Sequence, residues 1–267
     1  MTTMTLGDVR PIGDQLRAWR QRRRLSQLEL ASEAEVSTRH LSFVETGRSV
    51  PSREMVLRLA EHLDVPLRDR NLLLVAAGYA PVFAETPIEE PRMDSVRAAL
   101  RQVLRGHEPY PAVVVDRFWN LVDANDAAAL FMEDAPAELL EPPLNVLRLS
   151  MHPDGMARHI LNLAEWRAHM IDRVRRHVAL TADASLERLY RELRSFPGDV
   201  GEAMAPPAGN EVVIPLRMRA DGRELSFFST IATFGTPVDI TVAELAIESF
   251  YPADEPTGAF LRERAGR

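Results

Sequence analysis

Residues 26–47 read SQLELASEAEVSTRHLSFVETG, and their apolar side chains recur three and four positions apart instead of alternating. That period belongs to amphipathic helices. One helix would turn Leu28, Ala31 and Ala34 inward, and a second Leu41 and Val44, with Val36 closing the core between them. Ser26 and Ser37 stand where these helices should begin, each able to accept from exposed backbone N–H groups. Gly47 follows the second helix as a C′ residue. Two short helices joined by a tight turn make a helix-turn-helix, which lays its second helix in the DNA major groove.

The same period extends to both sides. Ile12, Leu16 and Trp19 predict a helix over 12–24. The central pair then occupies about 26–34 and 37–46, and a loop follows through Arg48 and Pro51. Ser52 would cap a fourth helix with Met55, Val56, Leu59, Ala60 and Leu63 inward, and a fifth over 67–77 ends at Gly78. Residues 10–80 are thus expected to form an all-α domain of five helices. Residues 81–95, PVFAETPIEEPRMDS, hold three prolines and four acids with no regular period, which marks a linker.

Beyond the linker the period changes. A helix over 93–105 leads into a second domain, 96–257, where 112–116 and 119–123 read as a β-hairpin and 124–132 as a short helix. Helices are then expected over 142–149, 156–180 and 184–195, the long one striped by Ile160, Leu163, Trp166, Met170, Val174 and Val178. Strands follow over 211–219, 223–234 and 238–250, the first two joined by Asp221-Gly222, a hairpin signal. Two strands, helices and three more strands predict an α+β domain, a five-stranded antiparallel sheet with helices on one face.

These patterns resemble known families. Gln27, Ala31, Val36, Leu41, Val44, Glu45 and Gly47 resemble the helix-turn-helix of XRE-type phage-repressor regulators, except that Glu35 stands where that family usually has Gly. A non-Gly residue in a left-handed turn costs about 1 kcal/mol. The order of elements in the second domain resembles a PAS domain. Residues 111–119 (PAVVVDRFW), Asn125, His152-Pro153-Asp154-Gly155 and 241–257 resemble the ligand-binding domain of MmyB-like or MltR-like regulators. The resemblance implies a transcription regulator whose PAS-like domain senses a small molecule.

Charge supports the division. The chain of 267 residues carries a net charge of −7, yet residues 1–80 hold 12 Arg against 10 acids. Arg17, Arg20, Arg22, Arg23 and Arg24 precede the helix-turn-helix, where they can neutralise phosphates or form a solvated helix face. With no cysteine, disulfides and thiolate sites are excluded. The apolar run 72–84 is interrupted by Gly78 and Pro81 and falls short of the ~20 residues of a membrane span. With no signal-peptide pattern, a cytoplasmic location is expected.

By position in the family, Ser37, Thr38 and Arg39 would touch base edges, with Ser42 and Phe43 one turn on, Phe43 serving either thymine contact or core. Gln27 and Arg48 match phosphate-contacting positions, His40 could reach phosphate or lie on the surface, and Glu45 reads as structural. Pocket candidates are Trp119, Leu130, Phe131, Leu147, Met151, Trp166, Met170, Ile214, Phe228, Ile231, Leu245 and Phe250, a set that any sheet-on-helix core would also show. Arg158, His159, Asn162 and Arg217 are polar candidates at its mouth, and the expected effector is a fatty acid or similar lipophile. No cofactor or metal is expected: the histidines lack zinc-site spacing, and no catalytic motif occurs. Double-stranded operator DNA of two-fold symmetry and a homodimer are the expected partners. The alternatives are an effector-independent repressor whose second domain serves dimerisation or protein contact, and an enzyme with a DNA-binding appendage.

Overall fold

A computed structural model describes residues 10–197 and 213–266. The chain divides into two compact units, Met1–Thr86 with Thr236–Ala243, and Pro87–Gly235 with Glu244–Arg267.

In the first unit, α1 (Ile12–Arg22), α2 (Gln27–Glu33), α3 (Thr38–Glu45), α4 (Arg53–His62) and α5 (Leu67–Ala76) follow the hydrophobic pattern. Serine side chains start three of them. Ser26 and Glu29 form a reciprocal capping box, Ser37 Oγ accepts from His40 N at 3.1 Å, and Ser52 Oγ accepts from Met55 N at 3.2 Å. The turns after α1, α2 and α4 each pass through a left-handed residue, Arg24, Glu35 and Asp64. Leu16, Trp19, Leu30, Ala31, Ala34, Leu41, Val44, Val56 and Leu59 close the core.

Leu28 is not among them, being 68% exposed. The inward face of α2 is centred on Leu30, Ala31 and Ala34, and Leu28, two residues before Leu30, points across the helix from it. At Gly13 the helices α1 and α3 meet so closely that a Cβ would lie 2.4 Å from Val44 O.

The second unit contains α6 (Asp94–Gly106), β1 (Ala112–Val115), β2 (Leu121–Ala124), a 3-10 turn (Asp126–Phe131), α7 (Ala137–Leu140), α8 (Val146–Met151), a 3-10 turn (Met156–His159), α9 (Leu163–Thr181), α10 (Ala184–Ser195), β3 (Leu216–Ala220) and β4 (Arg223–Ala232). The sheet is completed by β5 (Ala246–Pro252) in the antiparallel order β2-β1-β5-β4-β3. Of the predicted strand 211–219, residues 211–212 lie outside the described residues and β3 begins at Leu216.

The sheet is covered on both faces, not on one. Val113 and Val115 of β1 join Trp119, Phe131, Trp166, Met170, Phe227 and Phe250 in the main core, whereas Ala112 and Val114 pack with Leu100 and Leu104 of α6 on the opposite side. All four β1 residues are buried, as the unbroken run AVVV requires of a strand enclosed on both sides.

Other boundaries also depart from expectation. The long helix predicted over 156–180 breaks at 160–162, because the backbone there turns to pair with β3: Leu161 N donates to Arg217 O at 2.7 Å, and Asn162 Oδ1 accepts from Arg217 N at 3.0 Å. The strand predicted over 238–250 begins as a helical turn, α11 (Ile240–Ala243), capped by Asp239, whose Oδ1 accepts from Thr241 N at 2.9 Å. Its β-branched residues mimic strand composition. A terminal helix, α12 (Glu255–Ala265), starts at Asp254 and buries Phe260 and Leu261 in the main core.

The segment containing α11 belongs to the first unit. Ile240 N donates to Ala84 O at 2.8 Å, and Thr86 Oγ1 donates to Asp239 Oδ2 at 2.6 Å. Asn71 of α5 in turn holds the backbone of Val82 and Phe83.

Candidate DNA-reading helix and effector site

The amino-terminal end of α3 is presented to solvent. Ser37, Arg39, His40 and Arg48 are exposed, while Thr38, Ser42 and Phe43 are half-buried. The Arg39 and Arg48 guanidinium groups lie 5.4 and 5.9 Å from the centre of the Phe43 ring, so this aromatic is a platform between two cations. Gln27 is anchored, its Nε2 donating to Glu45 Oε2 at 2.8 Å.

Glu45 is structural, as its position suggests. It is 5% exposed and accepts from Arg20 through both oxygens, at 2.7 and 2.8 Å. Burial alone would push its carboxyl up; the hydrogen bonds from Arg20 and Gln27 outweigh burial and hold it below the usual carboxylate range. The arginine cluster is divided by its contacts. Arg20 is committed to Glu45, Arg22 lies 4.0 Å over the Trp19 ring, and Arg23 caps Leu63 O and Asp64 O. Only Arg17 and Arg24 of the five are exposed. Basic residues next to a helix-turn-helix serve its fold as well as phosphate, and sequence position alone cannot separate the two uses.

In the second unit the predicted pocket residues split into groups. Trp119, Leu130, Phe131, Leu147, Met151, Trp166, Met170 and Phe250 share the main core. Trp166 is satisfied there, its Nε1 donating to Ser150 Oγ at 3.0 Å. Leu130, Phe131 and His159 line a small cavity of about 120 Å³ together with Met156 and Met218. Leu245 packs on the α6 side of the sheet, and Phe228 faces away from the main core, stacked on Tyr251 at 5.1 Å. Strand alternation puts Phe227 inward and Phe228 outward, a one-residue difference that composition does not reveal. Ile231 is 44% exposed, and Ile214 is half-buried before the start of β3.

The polar candidates are largely structural. Asn162 bonds Arg217 N, Pro215 O and Glu165, and so ties β3 to the start of α9. Arg158 is exposed and reaches Asp134 O and His159 Nε2, while Arg217 points to solvent. Several motif residues shape the turn before β2. Asp116 accepts from Phe118 N and Asn120 N at 2.7 and 2.9 Å, and Asn145 Nδ2 donates to Phe118 O at 2.7 Å. This turn holds Trp119 at φ +67°, an unusual conformation for a bulky side chain. In the His152-Pro153-Asp154-Gly155 turn, a Cβ on Gly155 would meet Leu149 O at 2.3 Å.

A polar group missed from the sequence lies beside Trp119. Arg173 of α9 stacks over its ring at 4.4 Å and donates through Nη1 to Glu248 Oε1 at 3.2 Å; Ser229 Oγ donates to the same oxygen at 3.0 Å. His169, Arg173 and His177 recur every four residues on α9, a polar row legible in the sequence. Burial pushes His169 and His177 down, and Arg173 adds to the effect on both.

Residues 11–73 match the model of a helix-turn-helix domain, and residues 96–263 that of the MmyB-like transcription regulator ligand binding domain. No curated protein matches the chain. A DNA-binding helix-turn-helix and a ligand-binding domain in one chain define a transcription regulator with a small-molecule-binding module. The chain belongs to the MmyB-like transcription regulators. Among the described residues no helix is long and apolar enough to cross a membrane.

Proposed function

We propose that the protein controls transcription as a homodimer, its two helix-turn-helix units reading the half-sites of a palindromic operator while the PAS-like second domain binds a lipophilic effector that alters operator affinity. The observation that carries this reading is the exposed end of α3, with Arg39 and Arg48 flanking Phe43, in the same chain as a ligand-binding domain. Arg39 can pair with guanine O6 and N7, and Thr38 can place its methyl against thymine. Ser37 joins them at the base edges, Arg48, Gln27 and His40 fix register on phosphates, and Ser42 and Phe43 lie further along the groove. The effector, a fatty acid in the simplest case, sits against Leu130, Phe131, Leu147, Met151, Trp166 and Met170, with Trp119 at one end.

Mass spectrometry of the purified protein, native and then denatured, tests this directly. A lipid-like mass released on unfolding, which shifts operator affinity when added back, is the expected result. A competing reading, in which the second domain serves dimerisation alone, is favoured by the close packing of the pocket candidates, which share one buried core. A clean dimer whose operator affinity no lipid changes would establish that alternative.

A further inference from the structure

Trp119 and Arg173 meet with hydrogen-bonding capacity left over. Trp119 is 7% exposed and, among the described residues, its Nε1 has no hydrogen-bond partner; Nη2 of Arg173 is likewise buried and unpartnered among them. The side chains that carry them are stacked, the Arg173 guanidinium carbon lying 4.4 Å from the centre of the Trp119 ring. A buried donor without an acceptor is costly, and two such donors on stacked side chains, one of them a Trp held at positive φ, form a poised site. Both are donors only, so whatever fills the site must bring an acceptor.

Charge narrows the acceptor further. Arg173 is already matched by Glu248, Arg117 by Asp183 and Glu244, and Arg176 by Asp172. A carboxylate placed here would be a buried anion near Glu248 with no cation of its own, which is costly. We propose that Trp119 Nε1 and Arg173 Nη2 together receive one uncharged oxygen acceptor, a carbonyl or hydroxyl, at the polar end of the effector. Trp119 shares the main core with Trp166 and Met170, so an alkyl chain can run from this polar end along those residues. This inference rests on the lipophilic-effector reading and sharpens it: a fatty acid would enter as its neutral acid, and a ketone or alcohol of equal length would bind at least as well.

The test uses the full-length protein and four ten-carbon probes: decan-2-one, decan-1-ol, decane, and decanoate at about pH 8, where the acid is ionised. Indole N–H resonances of Trp19, Trp119 and Trp166 are assigned from single Trp→Phe variants. The ketone and alcohol should move the Trp119 indole proton downfield and bind about tenfold more tightly than decanoate. Trp119→Phe should weaken the ketone by about tenfold, the worth of one good hydrogen bond, without changing decane. Arg173→Lys, which keeps a cation on Glu248, should weaken the ketone similarly and covers the case in which the Trp119 variant misfolds. Decanoate binding as tightly as the ketone, or ketone binding that leaves the Trp119 indole unmoved, would overturn this site while leaving a lipophilic effector in place. If none of the probes binds, the lipophilic-effector reading fails and takes the site with it.

Discussion

Arg20 grips both carboxylate oxygens of Glu45, Nε to Oε1 at 2.7 Å and Nη2 to Oε2 at 2.8 Å, so α1 holds the last turn of α3. The same carboxylate takes Gln27 Nε2 from the start of α2, so one buried anion joins three helices. Glu45→Ala removes the acceptor from two part-buried donors and should destabilise the first unit by about 2–4 kcal/mol. Because the native carboxyl is held below its unfolded value, its contribution is fully present above the unfolded pKa of about 4.3 and is lost as pH falls through the lower native value. Urea unfolding should therefore show a falling acid limb in the parent, and a flatter one in Glu45→Gln. Parallel limbs would mean that the pair does not stabilise the fold.

Glu35 supplies the left-handed residue between α2 and α3, at φ +52°, and is exposed. A Cβ in that conformation is strained by about 1 kcal/mol, whereas Gly is not. Glu35→Gly should raise stability by up to about 0.5 kcal/mol, the added freedom of the unfolded chain offsetting much of the relief. Thermal unfolding checks this; a lowered midpoint would show that the side chain contributes more than its strain costs.

The first unit was legible residue by residue because its signals are local: serine caps, a three-to-four period and Gly47. Leu28 misled because only the phase set by Leu30 distinguishes inward from outward on so short a helix. In the second unit the strand count and the long amphipathic α9 could be read, but sheet faces could not. Phe227 and Phe228 are equally apolar, and Leu245 lies across the sheet from Phe250. Arg173, Glu248 and Ser229 come from α9, β5 and β4, so no spacing in the chain reveals their meeting.

Arg39 and Arg48 share the Phe43 ring but should differ in what they read. Arg39→Ala is expected to weaken operator binding by about 1–3 kcal/mol and to relax preference at one base position. Arg48→Ala should weaken operator and random DNA alike and reduce the salt slope by about one unit. Titrations at several salt concentrations separate them, and equal losses on both DNAs for both variants would reject the assignment.

The bond from Thr86 Oγ1 to Asp239 Oδ2, at 2.6 Å, closes the segment Thr236–Ala243 onto the chain leaving α5. The other oxygen of Asp239 accepts from Thr241 N at 2.9 Å, so one side chain both caps α11 and secures the strap. Asp239→Ala removes both interactions, together with a longer bond from Thr86 N to Asp239 Oδ1 at 3.4 Å. At about 1 kcal/mol each, their loss should speed amide exchange across 239–243 by roughly tenfold or more while leaving β1 protected. The strap also continues directly from β4 into β5, which carry Ser229 and Glu248. Loosening it should therefore reduce the effect of a bound effector on operator affinity, with affinity in its absence little changed. Exchange mass spectrometry and paired DNA titrations test both halves. Faster exchange with an unaltered effector response would make the strap a local brace; unaltered exchange would remove its structural role as well.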